Sequence, residues 1–129
     1  MTAPLQAKPL NPGITCNDLQ RSLQFYTEGL GFEVVRKGDK DGKLQFAMLK
    51  AGDALMGIGQ DDFAKGRDRV KGVGVRFWIN TAQDVTTVAD RVKAAGFTLD
   101  SEPAPLPWGP MGFTLKDPDG YLITVSHEA

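Results

Sequence analysis

The sequence has few of the side chains most used for covalent and metal chemistry. Its 129 residues include one cysteine, Cys16, and one histidine, His127. A single cysteine excludes an internal disulfide and is typical of a protein from a reducing compartment. A single histidine gives no pair for metal binding, and it would have to serve any Ser-His-Asp or Cys-His site. We interpret Cys16 as a buried core thiol and His127 as a solvent-facing side chain.

An excess of one charge is also missing. Lys plus Arg total 15 and Asp plus Glu total 16, so the formal net charge is −1. A nucleic-acid surface needs a basic excess to neutralise phosphates, and we therefore expect no nucleic-acid partner. No segment approaches the roughly 20 apolar residues that span a bilayer, and the first residues do not resemble a signal peptide. We expect a soluble, cytoplasmic protein with no membrane partner.

The apolar content is sufficient for a core, and its pattern in the first half predicts a helix among strands. Asp18 is a suitable N-cap, and Leu19, Leu23, Tyr26 and Leu30 follow at helical spacing. A glycine directly after Leu30 suits the end of a helix. The strands predicted around this helix are Pro12–Cys16, Phe32–Lys37, Leu44–Lys50 and Ala54–Gly59.

The second half repeats this order of elements. The pattern predicts a strand over Val73–Asn80, a helix over Asp84–Ala95 and a strand over Phe97–Asp100. A hairpin follows, with strands Phe113–Lys116 and Tyr121–His127. The stretch Ser101–Gly112 contains four prolines and Trp108, and it is predicted to be irregular, stiff and extended.

Nearly constant offsets, of 65 and 66 residues, relate the two halves. Gly31 and Phe32 recur as Gly96 and Phe97 after 65 residues, and Asp18 recurs as Asp84 after 66 residues. The sequence therefore predicts an α+β fold of two tandem βαβββ modules within a single domain, residues 1–129. Module one covers about 9–60 and module two about 72–128. The curved mixed sheets are expected to surround a cleft, a common place for a ligand.

Three segments resemble one known superfamily. Asp18–Tyr26 with Leu30–Val34, Lys93–Phe97, and Asp117–Tyr121 are similar to the signatures of the vicinal-oxygen-chelate superfamily. This superfamily includes glyoxalase I, bleomycin-resistance proteins and extradiol dioxygenases. The resemblance implies paired βαβββ modules, which are often dimeric with sites shared between subunits. It also implies, for the enzymes, a divalent metal held by four residues, usually His, Glu or Gln.

The resemblance assigns those four metal positions to Asn11, Gly57, Gly74 and Thr124. Glycine has no side chain, and Asn and Thr are weak ligands for a catalytic transition metal. We therefore expect no metal and no cofactor, and we expect the four positions to line a ligand cleft instead.

Three aromatic residues and one arginine extend this predicted cleft. Arg76 and Trp78 alternate with the apolar residues of their strand, so they point to the opposite face. That face is either the cleft or a plain solvent-exposed surface. Trp108 is either a lid over the cleft or a hydrophobic plug over the sheet, and Phe113 is a further candidate lining residue.

The leading hypothesis is a metal-independent protein that sequesters an aromatic or amphipathic small molecule, as bleomycin-resistance proteins do, and that forms a homodimer. One alternative is a glyoxalase-type lyase or dioxygenase with an atypical metal site. The other is a non-catalytic interaction module. Whether the protein is an enzyme stays open at this point.

Overall fold

The structure, a computed structural model, describes residues 3–129. Its first module has the order strand β1, helix α1, a π-helical turn and strands β2 to β4. The sheet order is β1-β4-β3-β2, with β1 parallel to β4 and the other neighbours antiparallel. The bounds are β1 Gly13–Cys16, α1 Leu19–Gln24, the π-helical turn Phe25–Gly29, β2 Glu33–Lys40, β3 Lys43–Ala51 and β4 Ala54–Gln60.

The second module repeats this plan and gives a sheet of order β5-β8-β7-β6. Strand β5 runs parallel to β8, as β1 does to β4. The bounds are β5 Arg76–Thr81, α2 Val85–Ala94, β6 Ser101–Pro105, β7 Met111–Lys116 and β8 Leu122–His127. The predicted pair of βαβββ modules is confirmed. No helix among residues 3–129 is long and apolar enough to cross a membrane.

The first helical segment is not a single α-helix as predicted. Asp18 caps α1 by accepting a hydrogen bond from the Arg21 backbone N–H at 3.2 Å. From Phe25 onward the helix widens, and the Leu30 N–H donates to the Phe25 carbonyl, five residues back. The Arg91 guanidinium of module two donates to two carbonyls at the end of this π-helical turn. The wider turn therefore ends against a side chain from the other module.

Two boundary predictions in module two are wrong. Residues 97–100 form no strand, and the Phe97 ring packs edge-to-face on Phe25 at 5.0 Å. The proline-rich Ser101–Pro105, predicted to be irregular, is strand β6. Only β7 pairs with β6. An edge strand tolerates proline because its outer N–H positions need no partner.

The predicted strand Val73–Asn80 begins only at Arg76. Gly72 and Gly74 have φ values of +77° and +73°, in the left-handed region that favours glycine. The Val75 N–H bonds to the Gly72 carbonyl and closes a turn. The alternation of valines before Arg76 therefore belongs to this turn, and Gly74 lies outside the sheet.

The modules pack against each other through their helical sides. α2 contacts the π-helical turn, and Tyr26 donates a 2.7 Å hydrogen bond to the Asp117 carboxylate across the boundary. The segment between the modules is anchored by Lys71, which is buried and bonds Asp61 at 2.8 Å and Asn17 at 2.6 Å. The helix-covered face of each sheet therefore forms the core, and the other face of each sheet remains uncovered by helices.

Candidate ligand-binding site

Strand alternation divides the second sheet into two faces. Phe77 and Ile79 of β5 join Ile123 and Val125 of β8 in or against the core. Arg76, Trp78 and Asn80 point to the opposite side, which we call open face two. The predicted placement of Arg76 and Trp78 away from the core is thus what the structure shows.

Cross-strand pairing arranges open face two in three rows. The middle row holds Trp78, Thr124, Thr114 and Ser101, which are successive partners across four strands. On one side of it is a row of Arg76, Leu122 and Lys116, and on the other side a row of Asn80, Ser126 and Gly112. Neighbouring strands are about 4.8 Å apart, and successive rows on one face are about 7 Å apart.

A solvent-accessible cleft of about 540 Å³ lies on this face. The indoles of Trp78 and Trp108 form its aromatic walls, and they are 58% and 56% exposed. The other lining residues are Asn80, Pro110, Ser126, His127 and Glu128. Tryptophans exposed to this degree leave large apolar surfaces in contact with water, which is typical of a binding surface.

The loop that carries Trp108 is folded back on itself over the sheet. The Leu106 N–H donates to the Pro110 carbonyl, and the Gly109 N–H, at a φ of +117°, donates to the Leu106 carbonyl. The Leu106 side chain lies against Gly112, where a Cβ atom would collide with it. Leu106 therefore covers the sheet, while Trp108 projects beside the cleft. Of the two interpretations of Trp108, a plug over the sheet does not agree with its exposure.

Thr124, in the middle row, has a hydroxyl without a partner. The residue is 1% exposed, and its Oγ1 atom is buried with no hydrogen bond. Its neighbour in the row, Thr114, is satisfied by a 2.8 Å contact with the Ser101 hydroxyl. A buried hydroxyl without a partner costs about 1–3 kcal/mol. The atom has almost no accessible surface, so this cost belongs to the packing of the sheet.

The first sheet has a matching open face. Phe46 and Met48 of β3 point away from the core residues Ala47 and Leu49. The Phe46 ring fills the space over Gly38, where no Cβ atom would fit, and it remains 37% exposed. Arg36 lies over the same ring at 5.8 Å. We call this surface open face one; like its counterpart, it combines an aromatic ring with an arginine.

The residues at the metal positions do not fit a divalent metal. Gly57 offers no side-chain donor, and the Met48 sulfur lies 3.2 Å from where its Cβ would be. Thr124 offers one neutral hydroxyl, and its partner on β5 is Trp78. Asn11 lies before β1 and is exposed, and Gly74 lies in the turn before β5. Within residues 3–129, no three His, Cys, Asp or Glu side chains are close enough to hold a metal together.

Of the eight predicted lining residues, only Trp78 and Trp108 line this cleft. Arg76 and Thr124 lie on the same face of the sheet but outside the cleft lining. Gly57 lies on β4 of module one, and Asn11 and Gly74 lie outside the strands.

Phe113 is fully buried in the core, paired with Val125 on the helix-covered face. The inward face of β7 is set by Phe113 and Leu115, and the residues between them face the cleft side.

The alternation of Leu122, Thr124 and Ser126 along the last strand predicts Ser126 as a lining residue, and it lines the cleft. Sequence reasoning missed Asn80 and Lys116; extending the alternation two residues beyond Trp78 would have indicated Asn80.

The ionisable groups whose pKa values burial raises belong to the core, not to the cleft. Burial raises the pKa of the Cys16 thiol to about 12, so the thiol is protonated and unreactive at neutral pH. Cys16 is fully buried, as predicted. Burial also raises the pKa of Asp117, although this carboxylate accepts hydrogen bonds from Tyr26 and from two backbone N–H groups. These groups hold the Asp117 turn in place.

The fold and the signatures together identify the family. A model of the Glyoxalase/Bleomycin resistance protein/Dioxygenase superfamily matches residues 8–125. The chain belongs to this superfamily, as its resemblance indicated.

Named relatives fall within the same superfamily. A probable lactoylglutathione lyase of Vibrio cholerae serotype O1 is 31% identical over 125 residues, covering 88% of this chain and 86% of the relative. A putative lactoylglutathione lyase of Brassica oleracea is 33% identical, and there the match covers 82% of this chain and 39% of the relative.

Solved structures share the fold. A glyoxalase I variant of Zea mays has a TM-score of 0.77 at 25% identity, covering 95% of this chain and 45% of the other. TioX from Micromonospora sp. ML1 has a TM-score of 0.75 at 17% identity, covering 95% and 100%.

Proposed function

We propose that the protein binds an aromatic small molecule without a metal, at the cleft between Trp78 and Trp108. The observation that carries this proposal is the exposure of both indoles beside one cleft. Stacking of an aromatic ring on a tryptophan stabilises a complex by about 0.5–1.5 kcal/mol beyond the area buried. Two indoles beside one cleft favour a flat ring over an aliphatic chain.

A second copy of the chain completes this site in the proposal. The contacts between modules within one chain use the helical sides, so both open faces keep exposed aromatic residues. Open face one of one subunit then covers open face two of the other in a homodimer. Phe46 and Met48 supply the opposite wall of the cleft. Methionine adapts to flat apolar ligands because its side chain is flexible and its sulfur is polarisable.

Tryptophan fluorescence tests the proposal directly, because Trp78 and Trp108 are the only two tryptophans in the sequence. A panel of aromatic metabolites and antibiotics is titrated into the protein. We expect saturable quenching by a member of the panel, and Trp78→Phe and Trp108→Phe each reduce the amplitude. Trp78→Ala is expected to weaken binding more than Trp78→Phe, since phenylalanine keeps a stacking surface. Fluorescence that no member of the panel changes would overturn the proposal.

The second candidate function is a glyoxalase-type lyase. The observation that favours it is the 31% identity with a relative named as a probable lactoylglutathione lyase. The residues at the metal positions argue against it, because they supply at most one hydroxyl and one amide oxygen. Formation of S-lactoylglutathione from methylglyoxal and glutathione, assayed with added Ni²⁺ or Zn²⁺, separates the two functions. Turnover above the uncatalysed rate would favour the lyase.

A further inference from the structure

The rows of open face two differ in charge. Arg76 and Lys116 flank Leu122 in one outer row, with their Cα atoms about 10 Å apart across two strand spacings. Arg76 forms no ion pair within residues 3–129, and Lys116 reaches only Asp100, at 3.8 Å. This row therefore presents two cations, of which only Lys116 has a carboxylate within ion-pair distance.

The other outer row lies beside a residue of the opposite charge. Glu128 lines the cleft together with Asn80 and Ser126 of that row, whereas Arg76 and Lys116 lie outside the cleft lining, on the far side of the middle row. Trp78, in the middle row, lines the cleft and lies between the two charged regions. An anionic group is therefore repelled on the Glu128 side of Trp78 and attracted on the Arg76 side.

We propose that the ligand is an aromatic carboxylate whose ring stacks on Trp78 and whose carboxylate lies toward Arg76 and Lys116. This inference rests on the proposed function and adds the charge and the orientation of the ligand. Successive rows are about 7 Å apart, so a carboxylate attached to a ring on Trp78 comes within reach of the long Arg76 side chain in the neighbouring row. Arginine pairs with a carboxylate through two parallel hydrogen bonds, which fixes the direction of the group. Arg76 already lies beside the indole, 5.9 Å from the Trp78 ring, so ring and carboxylate are bound by adjacent side chains.

Three probes of one shape but different charge test the inference by isothermal titration calorimetry. They are naphthoate, naphthamide and naphthylmethylamine, which are anionic, neutral and cationic. We expect naphthoate to bind about tenfold more tightly than naphthamide. The amine is expected to bind most weakly.

Variants then assign the preference to its residues. Arg76→Gln is expected to weaken the binding of naphthoate about tenfold and to change the affinity for naphthamide by less than about twofold. Lys116→Gln is expected to have a smaller effect of the same kind. Lys65→Gln is the matched control, because it removes the same charge from an exposed position in the segment between the modules. It should leave both affinities unchanged.

The outcomes separate this inference from the proposed function. The inference is wrong if naphthoate and naphthamide bind with equal affinity, or if Arg76→Gln lowers both affinities equally. In either case the site binds aromatic rings but does not recognise the charge of the ligand. If none of the probes binds and the wider panel also leaves tryptophan fluorescence unchanged, the proposed function itself fails.

Discussion

The Tyr26 hydroxyl donates a 2.7 Å hydrogen bond to the carboxylate of Asp117, and this bond joins the helix of module one to the last turn of module two. Both residues are buried. Burial and the nearby Asp117 charge raise the pKa of Tyr26 well above its ordinary value, so the hydroxyl stays protonated and remains the donor. The contact therefore couples the stability of the two modules.

Replacing Tyr26 with phenylalanine tests this coupling. Tyr26→Phe leaves the buried Asp117 carboxylate with one partner fewer, and we expect a loss of about 1–3 kcal/mol in the free energy of unfolding. Urea denaturation measures the loss. Tyr121→Phe is the control, because its hydroxyl forms a longer bond of 3.3 Å to the Thr15 carbonyl. Equal destabilisation by both changes would contradict the special role of Tyr26.

Thr124→Val exchanges a buried hydroxyl for a methyl group of similar size. Because the Thr124 hydroxyl has no partner, the variant is expected to be more stable than the wild type, by up to about 1–3 kcal/mol. Thr114→Val is expected to lower stability, since it breaks the bond to Ser101. Thermal unfolding compares the signs of the two effects. A destabilising Thr124→Val would mean that the hydroxyl has a partner in solution, such as water.

The ion pairs of Asp61 predict that the stability of the protein depends on pH. The hydrogen bond from Lys71 and one from the Phe63 backbone N–H lower the pKa of Asp61 from 3.8 to about 2. A lowered pKa means that ionised Asp61 stabilises the folded state above pH 3.8, and this contribution is lost as the pH falls toward 2. Asp61→Asn should therefore lower the melting temperature at neutral pH, and the difference from wild type should shrink in acid.

The neighbouring residue provides the control for that pH experiment. Asp62 is exposed and bonds only the Ala64 backbone N–H within the described residues. Asp62→Asn is expected to change the melting temperature little at any pH. A wild-type-minus-Asp61→Asn difference that stays constant down to about pH 2 would show that the ion pair does not supply the stability.

Gly112 is the glycine whose replacement should most disturb open face two. A Cβ there would lie 2.5 Å from the Val125 carbonyl oxygen and would collide with Leu106. We expect Gly112→Ala to destabilise the protein by about 1–3 kcal/mol and to displace the Trp108 loop. Gly13→Ala is the matched control, because nothing lies within 4 Å of its Cβ position. Urea denaturation and the exposure of tryptophan to an added quencher report the two effects.

Much of the fold could be predicted because local patterns and tertiary packing agree. Asp18 and Asp84 cap the two helices as expected, and the alternation around Phe77 placed Trp78 correctly. Strand β6 was not predicted because proline is unfavourable in strands except at the edge of a sheet, and the sequence does not show which strands are edges. The π-helical turn was not predicted; the carbonyls at its end bond Arg91, a residue 62 positions after Gly29, and such a distant contact leaves no local pattern in the sequence.

The site was predicted less completely than the fold. An aromatic residue such as Phe113 is compatible with both a core and a binding surface in the sequence. Only its strand pairing with Val125 decides between the two. Lys116 could not be placed beside Arg76 from sequence, since their proximity depends on the register of three strands. Residues brought together by strand register have no common signal along the chain.

Binding of the ligand without a metal is tested most directly by tryptophan-fluorescence titration with an aromatic ligand in EDTA-treated protein, repeated after addition of Ni²⁺ or Zn²⁺. We expect the same dissociation constant in both conditions and no formation of S-lactoylglutathione from methylglyoxal and glutathione. Binding that appears only with the metal, or metal-dependent turnover, would contradict this expectation.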